Sequence, residues 1–159
     1  MAGEPAAIGE AYADMTAVAA KFFARNGQSD FLIGSDLSKS RTGWIRDMCD
    51  PTRDGKSIDH AANYRDVGVG QHEAAGVYNK AFCLLAKTDG WDVRKAFEVF
   101  HGANVAYWGP YFGFDEAACG VQRAADDKGY SRRDVTVAFE RVGFSCAPLL
   151  KAAEQRAVD

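Results

Sequence analysis

Apolar residues recur at helical spacing near the start of the chain, where Ile8, Ala11, Tyr12, Met15, Val18, Ala19, Phe22 and Phe23 fall on one stripe. That pattern predicts a helix over 8–26, closed by Asn26-Gly27. From 27 to 72 the periodicity fades and Gly, Asp, Ser and Pro51 accumulate, predicting a long ordered loop with a strand at Phe31-Leu32-Ile33. A loop of this length within one compact domain usually carries function. Helical spacing resumes after His72 with Ala74, Val77, Tyr78, Ala81, Phe82 and Leu85, and Thr88-Asp89-Gly90 ends it. Asp92 is the expected N-cap of a further helix through Val93, Ala96, Phe97, Phe100, Ala103 and Tyr107. Another is expected over about 115–128. Ser131 to Asp134 forms a variant capping box that opens the next, with Val135, Ala138, Phe139 and Val142 inward. The segment 147–159 is expected to be a tail carrying a short helix, and 1–7 an N-terminal tail.

These elements make a mainly α fold: one helix, a long loop region, then three or four more helices. Composition agrees, since 159 residues with 47% hydrophobic content can build a single core. A net charge of −3 with scattered basic residues gives no footprint for nucleic acid. No apolar run reaches the roughly 18 residues of a membrane span, and no signal peptide is visible at the N-terminus. Four cysteines, Cys49, Cys83, Cys119 and Cys146, allow three complete pairings. Neither a zinc finger nor HExxH is present, because His60, His72 and His101 stand far apart.

Several ordered blocks carry a resemblance. His72-Glu-Ala-Ala-Gly-Val-Tyr-Asn-Lys-Ala-Phe82 looks like a histidine followed by a Ser-Gly-Val/Ile-x-Asn-Lys/Arg-Ala helix, and Gly9-Glu-Ala-Tyr-Ala-Asp-Met15 like an Asn-Glu-Ala-x-Ser-Asp segment. Asp30 to Gly34, Ile45 to Met48, Asp50 to Ile58, Gly90 to Phe100, Ala118 to Val121 and Asp134 to Gly143 follow in the same order. Over residues 8–146 the chain therefore resembles the helical C-terminal domain of thermolysin and pseudolysin (bacterial elastase) zinc metalloendopeptidases.

That resemblance implies a set of roles. Glu10 matches the third zinc ligand, completing two imidazoles of an HExxH helix, and Asp14 the carboxylate that orients a zinc-bound histidine. Outside this context, Glu and Asp four residues apart are usually a solvated helix face. His72 matches the histidine that donates to the oxyanion of the tetrahedral intermediate. Arg46 matches the arginine that orients the substrate backbone, with Ile45 and Ile33 as apolar lining. Cys119 and Cys146 match a disulfide, which by chain entropy adds roughly 3–4 kcal/mol and requires an oxidising, extracellular setting. Cys49 and Cys83 match nothing assigned, and a second bridge is the favoured expectation.

Departures from the pattern matter equally. A calcium ion of the pseudolysin branch is held partly by helical carboxylates, where this chain has Val18 and Lys21; Asp30 and the Leu32 carbonyl remain, so the calcium site is expected to be lost. Gly70 replaces the aspartate that partners the histidine, leaving Asp66 as the only nearby substitute considered. No HExxH means that zinc would be bound only in a complete enzyme, with a partner domain and peptide substrates, and that this chain alone should be inactive. The alternative reading is a free-standing, non-catalytic interaction module, favoured by Met1, Val18, Lys21 and Gly70. In either case Ile8, Tyr12, Ile33 and Ile45 are expected to form an exposed apolar cleft face available for self-association.

Overall fold

The computed structural model describes residues 3–39, 43–64 and 68–146. Five helices follow in order: α1 (Glu4–Ala24), α2 (Gln71–Ala86), α3 (Val93–Ala106), α4 (Phe114–Asp127) and α5 (Arg132–Glu140). The expected tail helix after 147 lies outside the described residues. Between α1 and α2 runs the long loop, in which the described residues form β1 (Leu32–Ile33), β2 (Arg46–Asp47) and two short 3-10 turns (Pro51–Asp54 and Ala61–Asn63); the strands pair antiparallel with Leu32 opposite Asp47 and Ile33 opposite Arg46. The mainly α expectation holds.

α1 begins earlier than its apolar stripe suggests. Pro5 sits in the first turn, where its missing N–H costs nothing, and the Glu4 carboxylate leaves its own helix to accept from Phe114 N at 2.7 Å. Ala6 and Ala7 are buried in consequence. The helix ends as the sequence indicates: Asn26 and Gly27 both take positive φ, and Gly27 N closes on Phe22 O at 2.9 Å.

α2 is the central element. Ala74 through Asn79 are all buried, as are Ala81, Phe82, Cys83, Leu85 and Ala86. Tyr78, fully enclosed, packs edge-on or stacked against Phe100, Phe114 and Phe139, and its hydroxyl donates to Phe114 O at 2.5 Å. Gly76 lets the loop cross this helix, since a Cβ there would stand 2.3 Å from Ile58 O and 2.8 Å from Pro51 Cβ. Two disulfides join the layers: Cys49–Cys83 ties the loop to α2, and Cys119–Cys146 ties α4 to the segment after α5. Sequence separations of 34 and 27 give each bridge roughly 3–4 kcal/mol by chain entropy.

The expected strand at 31–33 is one residue shorter. Phe31 has φ 56, which a strand does not permit; the turn swings its ring into the core against Phe82, under the Lys87 ammonium. Its carbonyl still accepts from Met48 N at 3.0 Å.

The start of the loop is organised around a half-buried cation. Lys21 Nζ donates to Asp30 Oδ1 (2.9 Å), Leu32 O (2.9 Å) and Ser35 Oγ (2.7 Å), and lies 3.6 Å from Asp36 Oδ2. Three ammonium protons thus meet three oxygens, and the side chain is 12% exposed. Burial pushes the Asp30 carboxyl up, but hydrogen bonds from Lys21, Leu32 N and Ser35 outweigh it and hold the group below its ordinary value. A lowered folded-state value means that the cage stabilises the chain fully above about pH 4, and that this stability is lost as pH falls through the lowered value. Lys21→Met should therefore cost about 1–2 kcal/mol at neutral pH, with solvent screening at Asp30 keeping it modest. Acid unfolding followed by circular dichroism should begin at higher pH in the variant than in the unsubstituted chain; coincident acid transitions would contradict the cage.

Candidate functional site

α1 and α2 meet along one polar seam. Glu10 and Asp14 are four residues apart on α1 and share a face; His72 and Asn79, seven apart on α2, do likewise. Near the surface, Glu10 Oε2 is 3.1 Å from His72 Nδ1, and Gln71 Nε2 donates to Glu10 Oε1 at 3.3 Å. His72 is 55% exposed and Glu10 31%. Gly70, as the N-cap of α2, offers no side chain to the histidine, and Asp66 lies outside the described residues. The neighbour that the imidazole does find is therefore Glu10.

One turn deeper, the carboxylate of Asp14 is almost fully enclosed. Arg46 reaches it from β2 with both arms of its fork, Nε to Oδ2 at 2.8 Å and Nη2 to Oδ1 at 2.6 Å. Asn79 Nδ2 also donates to Oδ2, at 2.8 Å. The hydrogen bond to Asp14 holds the Arg46 guanidinium above its ordinary value, overcoming the opposing effect of burial, with further help from the charges of Asp14, Glu10 and Asp54. Asp14 thus gathers α1, α2 and β2 at one point.

β2 is itself braced. Asp47 accepts from Cys49 N (2.9 Å) and Asp50 N (3.1 Å) and pairs with Arg53, whose guanidinium lies over the Trp44 ring. Gly34, at φ 75, makes the turn after β1; a Cβ there would meet Ile45 Cδ1 at 2.8 Å. Ile45 N donates to Ile33 O at 2.8 Å.

Ile45, Arg46 and His72 line one small recess of about 30 Å³, together with Asp54, Lys56, Ser57 and Glu73. Its rim is polar: Asp54 accepts from Ser57 N and Oγ, and Lys56 stands 3.5 Å from Glu73. Ile33 does not join this group and lines a separate recess of about 170 Å³ with Val18, Lys21 and Leu37. The expected exposed cleft face is also corrected. Ile8 is only 5% exposed, because α1 starts at Glu4 and carries that turn into the core; Tyr12 and Ile33 are half-buried, and Ile45 alone of the four stands open, at 56%. These four side chains therefore do not form the continuous exposed apolar face expected from the sequence.

The arrangement can bind a metal only in part. Glu10 offers a half-exposed hard carboxylate beside an imidazole, which suits one ligand of a zinc ion, but no group of three His, Cys, Asp or Glu stands together among the described residues. Asn79 carried no assigned role in the sequence. Its burial is seen only in the fold, because Asn79 and Lys80 are adjacent polar residues in the sequence and only Asn79 is turned inward, where it must find a partner.

The chain was compared with known proteins. The family model described as thermolysin metallopeptidase, alpha-helical domain, matches residues 1–144. The hemagglutinin/proteinase of Vibrio cholerae is 46% identical over 140 residues, which cover 88% of this chain and 22% of that protein. A zinc metalloprotease of Helicobacter pylori is 46% identical over 140 residues, covering 88% and 53%. The neutral protease of Vibrio proteolyticus is 47% identical over the same shares as the cholera protein. The chain therefore spans between about a fifth and a half of the length of these relatives.

Asp14 and Glu10 should differ sharply in what they contribute to stability. Asp14→Ala leaves the Arg46 guanidinium without its partner and should cost about 3–5 kcal/mol. Glu10→Ala breaks only an exposed contact and should change stability by about 1 kcal/mol or less. Denaturant midpoints measure both; equal losses would mean that Glu10 is a structural residue like Asp14.

Proposed function

The chain belongs to the thermolysin metallopeptidase family, as its α-helical domain, and from that premise we propose that it supplies the oxygen ligand, the oxyanion donor and the substrate-binding arginine of a zinc endopeptidase. The observation that carries this reading is the approach of Glu10 to His72 within 3.1 Å on adjoining helices, with Arg46 in the recess beside them. These three positions lie far apart in sequence, and a purely structural helix pair would have no reason to gather them at an accessible edge.

Glu10 would hold zinc through one carboxylate oxygen, two further imidazoles coming from an HExxH-bearing partner domain. Zinc at that point supplies Lewis-acid activation of water and polarisation of the scissile carbonyl. His72 would donate to the oxygen on which negative charge develops, a contact worth most in the transition state. With Nδ1 turned to Glu10, Nε2 is the atom left for the substrate. Arg46 would bind a backbone carbonyl of the peptide after the cleaved bond, its fork already fixed by Asp14 so that little side-chain freedom remains to be lost on binding. Ile45 would line that subsite, which favours peptides with a bulky apolar residue there.

The two disulfides bear on the setting of the enzyme. Both disulfides favour an oxidising, extracellular location. No helix of the described residues is long and apolar enough to cross a membrane. The Lys21 ammonium, bonded to Asp30 and Leu32 O, would take the place of the calcium ion of the family resemblance, so this domain would hold its loop without that ion.

The test joins the chain to an HExxH-bearing half taken from a family member and measures hydrolysis of an internally quenched peptide. Hydrolysis is expected, with Glu10→Gln abolishing it, His72→Ala lowering kcat by about 100- to 1,000-fold and Arg46→Met acting chiefly on KM. Hydrolysis indifferent to Glu10 and His72, or a well-folded assembly with none, would favour the non-catalytic interaction module instead.

A further inference from the structure

Asn79 lies in the middle of α2 and is 1% exposed, in a run where Val77, Tyr78, Ala81 and Phe82 are wholly buried. Its amide is half satisfied: Nδ2 donates to Asp14 Oδ2, while Oδ1 is buried without a partner among the described residues. Turning the amide over would set its oxygen against a carboxylate, so the charge of Asp14 fixes which end faces it. A leucine, with the same number of side-chain heavy atoms, would leave no orphaned acceptor. What the asparagine adds is therefore the bond to Asp14.

That bond has two geometric consequences. Asn79 and Arg46 Nε converge on the same oxygen, Asp14 Oδ2, both at 2.8 Å. An amide donor on one side of the carboxylate stops it from turning, and a carboxylate that cannot turn holds the planar fork of Arg46 in a single orientation. The second consequence concerns α2 as a whole. The two helices pack through buried apolar side chains and share two polar pairs, an exposed one, Glu10 with His72, and a buried one, Asp14 with Asn79. Of the polar pairs only the buried one is shielded from water, and being directional it selects one axial register of α2 on α1, with His72 two turns away.

We propose that Asn79 is a positioning residue, which orients the Arg46 guanidinium through Asp14 and fixes the register that brings His72 to Glu10. Its value to a peptidase rests on the function proposed above; the positioning itself belongs to this chain alone. The experiment uses the ¹⁵N-labelled chain. In the unsubstituted protein, a nuclear Overhauser contact between the Asn79 side-chain amide protons and Arg46 Hε is expected, since both donors meet at one oxygen. Its absence would overturn the proposal without recourse to any variant.

Asn79→Leu, with Asn79→Ala as the second variant, should then speed exchange of the Arg46 Nε–H with water by about tenfold or more and shift the His72 ring resonances. Val77→Ala serves as the control for a merely structural role: it should lower the thermal midpoint and leave the Arg46 signal in place. Unchanged Arg46 exchange in both Asn79 variants would reduce the residue to a space filler. In the joined enzyme, the same variants should lower kcat/KM by about tenfold or more at unchanged zinc content. A joined polypeptide in which even the unsubstituted chain hydrolyses nothing would defeat the peptidase reading, while the exchange result still decides the role of Asn79.

Discussion

A single enclosed carboxylate, that of Asp14, is the constraint on which the rest of the arrangement depends. Left alone at that depth it would be strongly unfavourable, and the fold compensates with three donors brought from two other elements, Arg46 Nε and Nη2 from β2 and Asn79 Nδ2 from α2. Satisfying it therefore requires helix, strand and loop to be in register at once. Glu10 and His72, one and two turns nearer the surface, inherit that register. The accessible edge of the seam is ordered by an interior that solvent does not reach.

The loop that delivers Arg46 has little regular structure and is held by discrete clamps. The Lys21 ammonium gathers the oxygens of residues 30–36; Asp47 closes the turn after β2 on the N–H groups of Cys49 and Asp50; Cys49–Cys83 bolts the same turn to α2; and Gly76 admits the backbone of Ile58 against the helix. Each clamp is local, yet together they restrict β2 from both flanks. Arg46 on such a loop is as well placed as a residue on a helix, because the entropy of ordering it is already spent in folding.

The helices were legible because their apolar period is strong, and the interior stripe of α2 matches the residues found buried. Two features escaped for local reasons. α1 runs back to Glu4 because a proline and a long-range bond to Phe114 N open it, and neither has a periodic signature. That extra turn carries Ile8 inward and removes the apolar cleft face expected there. Phe31 looks like a strand residue by type but takes a positive φ so that its ring can reach Phe82, tertiary packing overriding local preference. At the site, the roles proposed for Glu10, His72 and Arg46 came from ordered motifs. The partnership of Asp14 with Arg46 and Asn79 did not, since it joins residues 32 and 65 positions apart that no spacing rule connects.

Glu10 is proposed as one ligand of a metal site completed by another polypeptide segment. Calorimetric titration of zinc addresses it directly, using the chain alone, the chain joined to an HExxH-bearing half, and that assembly with Glu10→Ala. The expected result is no stoichiometric micromolar binding to the chain alone, one zinc per joined assembly, and binding weakened by at least about tenfold in the variant. Stoichiometric micromolar binding to the isolated chain, or an affinity in the assembly that ignores Glu10, would contradict it.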